Sequence, residues 1–139
     1  FLHQRKMINE NVLKLASNTN NVGLKNRYSH KISLKNTTCG DKITVEIIAN
    51  KKKINSMKYE TESCIYCEAS ASLLSQRIKN MNFKDFKNDF IIIKKISNQK
   101  NIRFPKRFYD LKKLVNSDNL SRFKCVFLPF DAVLKALKL

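Results

Sequence analysis

The sequence predicts an α+β fold, a three-stranded antiparallel sheet with helices packed on one face, and three observations carry that prediction. Between Ser29 and Glu60 apolar residues recur at alternate positions in three short runs; after Ser63 the period lengthens to that of a helix; and the runs are joined by connections too short for a crossover helix. Short connections make neighbouring strands antiparallel. A chain of 139 residues fits one domain over 1–139, large enough to bury roughly two-thirds of its unfolded surface without disulfides.

Met7, Ile8, Val12, Leu13 and Leu15 fall at helical spacing and predict a helix over Phe1–Ala16, which Ser17-Asn18-Thr19-Asn20-Asn21-Val22-Gly23 breaks. The strands follow as Ser29–Lys35 with Ile32 and Leu34 on one side, Lys42–Asn50 through Ile43, Val45 and Ile47 with Ile48 added, and Lys53–Glu60 with Ile54, Met57 and Tyr59. The turn between the last two, Asn50-Lys51-Lys52-Lys53, is solvated and carries no chemistry. Ile65, Ala69, Leu73, Leu74 and Ile78 then lie on one face of a helix starting near Cys64, and its small residues Ala69-Ser70-Ala71-Ser72 admit a close neighbour. Phe83, Phe86, Phe90, Ile91 and Ile93 predict a second helix packed on that one. A basic loop, Lys94–Lys106, leads to a short helix from Arg107 with Phe108, Leu111, Leu114 and Val115, and Asn116-Ser117-Asp118-Asn119 ends it. The last helix, Ser121–Leu139, presents Val126, Phe130, Val133, Leu134 and Leu137, with Ser121 as its cap and Cys125 in its first turn. Pro129 either kinks that helix or marks its true first turn.

The formal charge of +17 suggests nucleic acid, since clustered cations release counterions from phosphates. The composition argues otherwise: 22 lysines stand against six arginines, beside 16 asparagines and 13 isoleucines, the mix an AT-rich genome imposes. Arginine, the side chain suited to bidentate base and phosphate contacts, is scarce, so specific nucleic-acid binding is not expected. No apolar run approaches the roughly 20 residues that span a bilayer, and the first residues lack a signal-peptide pattern, so no membrane partner and a cytoplasmic location are expected. In that compartment four cysteines read as thiols, metal ligands or catalytic groups rather than as two disulfides.

The chemistry centres on Cys39-Gly40-Asp41. A glycine between them permits a bent backbone, so side chains two residues apart can converge, and a thiolate with a carboxylate suits a borderline-soft cation such as zinc. Taken alone, the tripeptide is also what a Gly-Asp turn beside a buried cysteine looks like. Cys64 and Cys125 are the thiols that could complete a site, each near a predicted helix start, where free N–H groups and the helix dipole favour negative sulfur. Cys64-Ile65-Tyr66-Cys67 also has the spacing of a redox dithiol, but that motif needs a preceding βαβ unit and here a meander precedes it. A zinc ribbon would need a second cysteine pair, and Cys39 and Cys125 are single. His3 and His30 lie in basic, polar stretches and read as exposed.

These residues make the chain resemble the SufU/IscU/NifU N-terminal family of iron-sulfur cluster assembly proteins, from about Leu13 to Leu137. Asn36-Thr37-Thr38-Cys39-Gly40-Asp41 is similar to that family's Asn-Pro-x-Cys-Gly-Asp, and Cys64-Ile65-Tyr66-Cys67-Glu68-Ala69-Ser70-Ala71-Ser72 to its Cys-x-Ile-Ser-x-Ala-Ser-Ala-Ser. Phe123-Lys124-Cys125-Val126-Phe127-Leu128 is similar to its final Cys-x-x-Leu block. Three blocks in one order are more specific than any one of them.

The resemblance implies a small sheet-and-helix fold and a shared metal site at Cys39, Asp41, Cys64 and Cys125. It is closest to the SufU branch: the 61-residue step from Cys64 to Cys125 accommodates that branch's insertion, and Lys124 stands where IscU scaffolds have a histidine. The branch implies zinc as the cofactor, with iron or a transient 2Fe-2S cluster as the scaffold alternative. It also implies a cysteine desulfurase, SufS/NifS-like, as the partner. The implied activity is sulfurtransfer: Cys39 leaves the zinc, attacks the desulfurase persulfide as a thiolate and carries sulfur away, with Asp41 easing its departure. The departures are Thr37 for the proline before the first cysteine, Ser63 for the glycine before the second, Asn18-Thr19-Asn20-Asn21 for an early Asn-Pro motif, and Cys67 for a serine. Cys67 reads as a small buried substitute.

Overall fold

The computed structural model describes residues 10–37, 40–96, 103–114 and 122–139. Helix α1 (Glu10–Ser17) leads into strands β1 (His30–Lys35), β2 (Lys42–Asn50) and β3 (Lys53–Glu62). Helices α2 (Ile65–Arg77) and α3 (Phe83–Ile96) follow, then a 3₁₀ segment (Lys106–Lys113) and helix α4 (Phe123–Ala136). The sheet is a meander in the order β1-β2-β3, antiparallel throughout, as the period-2 runs predict.

Register explains one irregularity in that period. Ile48 pairs with Ser56 and Ala49 with Ile54, which leaves Asn55 as an extra residue in β3. The bulge resets the alternation, so Ile54 and Met57, three apart, both point into the core alongside Tyr59. The turn at Lys51 and Lys52 uses left-handed backbone, φ 52° and 61°, at residues whose Cβ disfavours it.

Helices cover one face of the sheet. On β2 the residues facing them, Ile43, Val45 and Ile47, are fully buried. Helix α4 lies against β1 and β2, α2 against β3, and α2 is flanked by α1, α4 and the 3₁₀ segment. Phe130 of α4 is the hub of an aromatic cluster, with ring centroids 5.2 Å from Phe90, 5.2 Å from Phe108 and 6.2 Å from Phe86. Each such pair adds about 0.5–1.5 kcal/mol beyond the area it buries.

The outer face is not bare. Residues 21–26 pass from the β3 edge across it: Val22 pairs in parallel with Tyr59, and the N–H groups of Lys25 and Asn26 donate to Glu46 Oε1 at 2.7 and 3.1 Å. Lys31 brings its ammonium to 3.4 Å from Glu46 Oε2, which matches the buried carboxylate with a cation. At the other end of β3, Asn82 pairs with Lys53, and Ile54 exchanges backbone hydrogen bonds with Asn80 and Met81 at 2.7 and 2.8 Å.

Several boundaries and faces differ from expectation. β1 begins at His30, β3 runs on to Glu62, and α3 extends to Ile96, so the basic loop starts later than Lys94. Leu13 and Ile91 are 49% and 44% exposed, whereas Val12 of α1 and Phe86, Phe90 and Ile93 of α3 are buried, because a helix wider than its contact leaves flanking apolar positions outside. His30 is half-buried, its ring edge-on to Phe83 at 6.5 Å. The N-cap of α4 is Arg122, one residue after the expected Ser121, and Pro129 is the helix's seventh residue, well past its first turn. The expected features at Phe1–Asn9, Val115 and Asn116–Ser121 lie outside the described residues. No described helix is long and apolar enough to cross a membrane.

Candidate metal centre

Three elements converge at one end of the molecule. Asp41 stands immediately before β2, Cys64 is the N-cap of α2, and Cys125 is the third residue of α4. One ligand atom of each, a carboxylate oxygen and two sulfurs, lies within 4.8 Å of the others. Asp41 and Cys125 are buried and Cys64 half-buried. Cys39 lies outside the described residues, between Thr37 and Gly40.

Local structure accounts for each position. Asn36 N–H donates to the Asp41 carbonyl and Gly40 N–H to the Asn36 carbonyl, both at 2.7 Å, closing the loop between β1 and β2 into a tight arch. Gly40 has φ +76°, left-handed backbone that other residues adopt only under strain; space is not the constraint, since a Cβ there would touch nothing. The arch aims Asp41 at the start of α2, where its Oδ1 accepts the backbone N–H of Cys64 at 2.9 Å. The Cys64 thiol donates to Asp41 Oδ2 at 3.5 Å. A carboxylate there also sits favourably at the positive end of the helix dipole.

Two hydroxyls missed in the sequence tie α2 to its neighbours, and one of them joins it to the other cysteine-bearing helix. Ser70 of α2 donates to the carbonyl of Val126, the residue after Cys125, and Ser72 donates to the carbonyl of Asn18 at 3.3 Å. Their signal was present in the small-residue run, read there only as room for a neighbour. Arg122 adds a third tie, its guanidinium 5.7 Å from the centre of the Tyr66 ring and thus bridging the first turns of α4 and α2. Cys67, one turn along α2, is fully buried in the core and is not part of the cluster.

The donor set suits a metal ion. Tetrahedral zinc with bonds to sulfur of about 2.3 Å spaces its ligand atoms about 3.8 Å apart, so a trio already this close can gather round one ion with small side-chain movements. Two soft sulfurs with one oxygen favour zinc or iron over magnesium or calcium.

The cluster also sits at a charge boundary. On one side a cleft of about 560 Å³ beside β3 carries Glu60, Glu62 and Glu68 with a single lysine, Lys42. On the other, a shallower groove of about 390 Å³ between β1 and α4 carries Lys35, Lys124 and Lys135.

Known proteins agree with this architecture. The sequence profile of the NifU-like N terminal domain matches residues 7–113, a span that includes Asp41 and Cys64 but ends before Cys125. Among solved structures, the N-terminal part of a nitrogen-fixing NifU-like protein from Brucella abortus superposes with a TM-score of 0.84 at 20% identity, over 97% of this chain and 94% of that one. A putative iron-sulfur cluster assembly scaffold protein for the SUF system from Fervidobacterium islandicum AW-1 gives 0.79 at 20% identity, over 94% and 97%. A hypothetical protein gives 0.68 at 17% identity, over the whole of both chains. No curated protein is a sequence match to this chain. With the profile covering most of its length and the meander of its relatives reproduced, the chain belongs to the NifU-like N-terminal domain family of iron-sulfur cluster assembly proteins.

Proposed function

We propose that this protein is a zinc-bound sulfur acceptor of the SufU type, taking persulfide sulfur from a cysteine desulfurase. The observation that carries the reading is the convergence of Asp41, Cys64 and Cys125 beside the loop that bears Cys39. Cys39, Asp41, Cys64 and Cys125 would hold the ion, and zinc, when bound, would keep the thiols as thiolates at neutral pH. Cys64 and Cys125 belong to helices tied through Ser70 and Arg122, whereas the sequence places Cys39 in the connection between two strands, and connections are where moving functional groups concentrate. Cys39 is therefore the acceptor. Its thiolate attacks the outer sulfur of the desulfurase persulfide; the new S–S bond forms on Cys39 as the old one breaks, and the desulfurase cysteine leaves as a thiolate that takes up the proton. Cys39 thiol plus persulfide becomes Cys39 persulfide plus thiol, with no net oxidation. Asp41, a hard oxygen donor in place of a fourth soft thiolate, carries the same charge but would bind a borderline-soft ion less tightly and so would ease the departure of Cys39.

A second reading, a scaffold for a nascent 2Fe-2S cluster, uses the same four residues and is favoured by the description of the Fervidobacterium relative. Metal analysis of the purified protein with its visible spectrum separates the two: colourless protein with one zinc supports sulfur transfer, and brown protein with iron and sulfide supports the scaffold. Persulfide mapping by mass spectrometry after incubation with a desulfurase and cysteine then tests the acceptor. Sulfur on Cys39, lost in Cys39→Ser, is expected; undiminished transfer to Cys64 or Cys125 in that variant would overturn the assignment.

A further inference from the structure

From the groove between β1 and α4 we infer a docking surface for an acidic segment of a partner protein, carrying apolar side chains among its carboxylates. The floor is apolar: Leu34 of β1 and Phe127 of α4 are half-buried, and Leu128 nearly wholly so. The rim is cationic, with Lys35, Lys124 and Lys135 all exposed. A fourth lysine, Lys94, is already matched by Asp131 at 3.0 Å and packs 4.5 Å from the centre of the Phe90 ring, so it closes the groove's end. The free cations are the three that no described acid neutralises at ion-pair distance. An apolar strip inside a ring of charge is the anatomy of a protein interface, since the rim steers and selects while the floor holds.

Position gives the surface its meaning. Asn36 and Thr37 form one wall of the groove, Thr37 two residues before Cys39 in the sequence, and Lys124 on the other wall adjoins Cys125. A segment seated there lies against both arms of the candidate metal centre. The cleft beside β3, where Glu60, Glu62 and Glu68 outnumber Lys42, disfavours the same segment and so favours its approach from the groove side. The surface thus adds an orientation device to the proposed function, and rests on it only in that a partner must reach the Cys39 loop.

The probe is a fluorescent peptide, Glu-Asp-Leu-Glu-Asp-Phe-Glu-Asp, titrated with zinc-loaded full-length protein and read by anisotropy. Lys35→Glu/Lys135→Glu reverses the rim; Lys51→Glu/Lys52→Glu, in the exposed turn between β2 and β3, makes the same change of charge elsewhere. The groove variant is expected to weaken binding at least tenfold and the turn variant less than threefold, and replacing Leu and Phe of the peptide by Ser to weaken it several-fold. Equal loss in both variants would mean that the peptide senses net charge alone and would overturn the proposal. So would indifference to the Ser replacement, or tighter groove-dependent binding of duplex DNA or phosphatidylserine vesicles. The assay contains no desulfurase, so the two ideas fail separately: no persulfide on Cys39 with peptide binding intact sinks the sulfur-acceptor reading alone.

Discussion

Ser70, in the middle of α2, donates its hydroxyl proton to the backbone carbonyl of Val126 on α4, and so one hydrogen bond sets the spacing between the helices that carry Cys64 and Cys125. Both groups are buried, where the loss of a partner is felt most. Ser70→Ala should cost about 1–2 kcal/mol in urea unfolding of the metal-free protein. If the bond also positions the ligands, zinc affinity, measured by competition with a chromophoric chelator, should fall about tenfold. Lost stability with unchanged affinity would confine Ser70 to packing.

Removing the metal tests the cluster directly. An ion bound by side chains from separate segments cross-links them only in the folded state, so chelation should lower the melting temperature, and zinc should restore it. Cys64→Ser and Cys125→Ser should each lose stoichiometric zinc and become insensitive to the chelator. A metal-free wild type as stable as the loaded one would sink the metal centre.

Cys67 should be dispensable for chemistry. It is fully buried and outside the donor cluster, so Cys67→Ala should keep zinc and accept sulfur normally while losing about 1 kcal/mol from packing. Loss of sulfur acceptance, or the appearance in wild type of a disulfide-reducing activity that this variant lacks, would instead revive the dithiol reading.

Tyr59 gives the fold an alkaline limit. Burial raises its hydroxyl above the usual 10.0, and the hydrogen bond to Ser72 opposes that rise only in part. With the folded value above the unfolded one, the neutral ring contributes its full stability below pH 10. Above that, the unfolded chain ionises first and stability falls as pH rises. Tyr59→Phe should be less stable than wild type at neutral pH by about 1 kcal/mol, yet decline less steeply above pH 10 in denaturant titrations. Parallel curves would refute this.

Much of the architecture is legible because it follows from local periodicity. Ile43, Val45 and Ile47 alternate and are buried; Ile65 to Ile78 repeat at helical spacing and form α2; and the placement of Cys64 and Cys125 at helix starts follows from where those patterns begin. What was not legible depends on residues far apart in sequence. Alternation assigns Glu46 to the solvent face, and nothing local announces that Lys25 and Asn26 will cross that face to bury it. Helical spacing gives Leu13 and Ile91 to apolar faces without saying how wide a contact the neighbour makes. Ser70 and Ser72 read as small, and only the approach of α4 and of Asn18 shows that their hydroxyls, more than their size, are used. Pro129 is tolerated inside α4 because tertiary packing around Phe130 outweighs the hydrogen bond it removes.

The pairing of Asn21–Gly23 and Asn82 along β3 has a consequence for solubility. A sheet edge is a template onto which a foreign strand can add, and amyloid grows by that addition. With β3 occupied at Tyr59 and again at Lys53, β1 is the edge on which a strand could pair, since no described strand lies beyond it. Lys31 and Lys35 on β1 are exposed, and a strand laid alongside would crowd its own side chains against their charges. In a chain so rich in β-branched residues, lysines on the open edge strand oppose fibril growth, and Lys35, whose charge no described acid neutralises, is the better placed of the two because Lys31 is paired with Glu46.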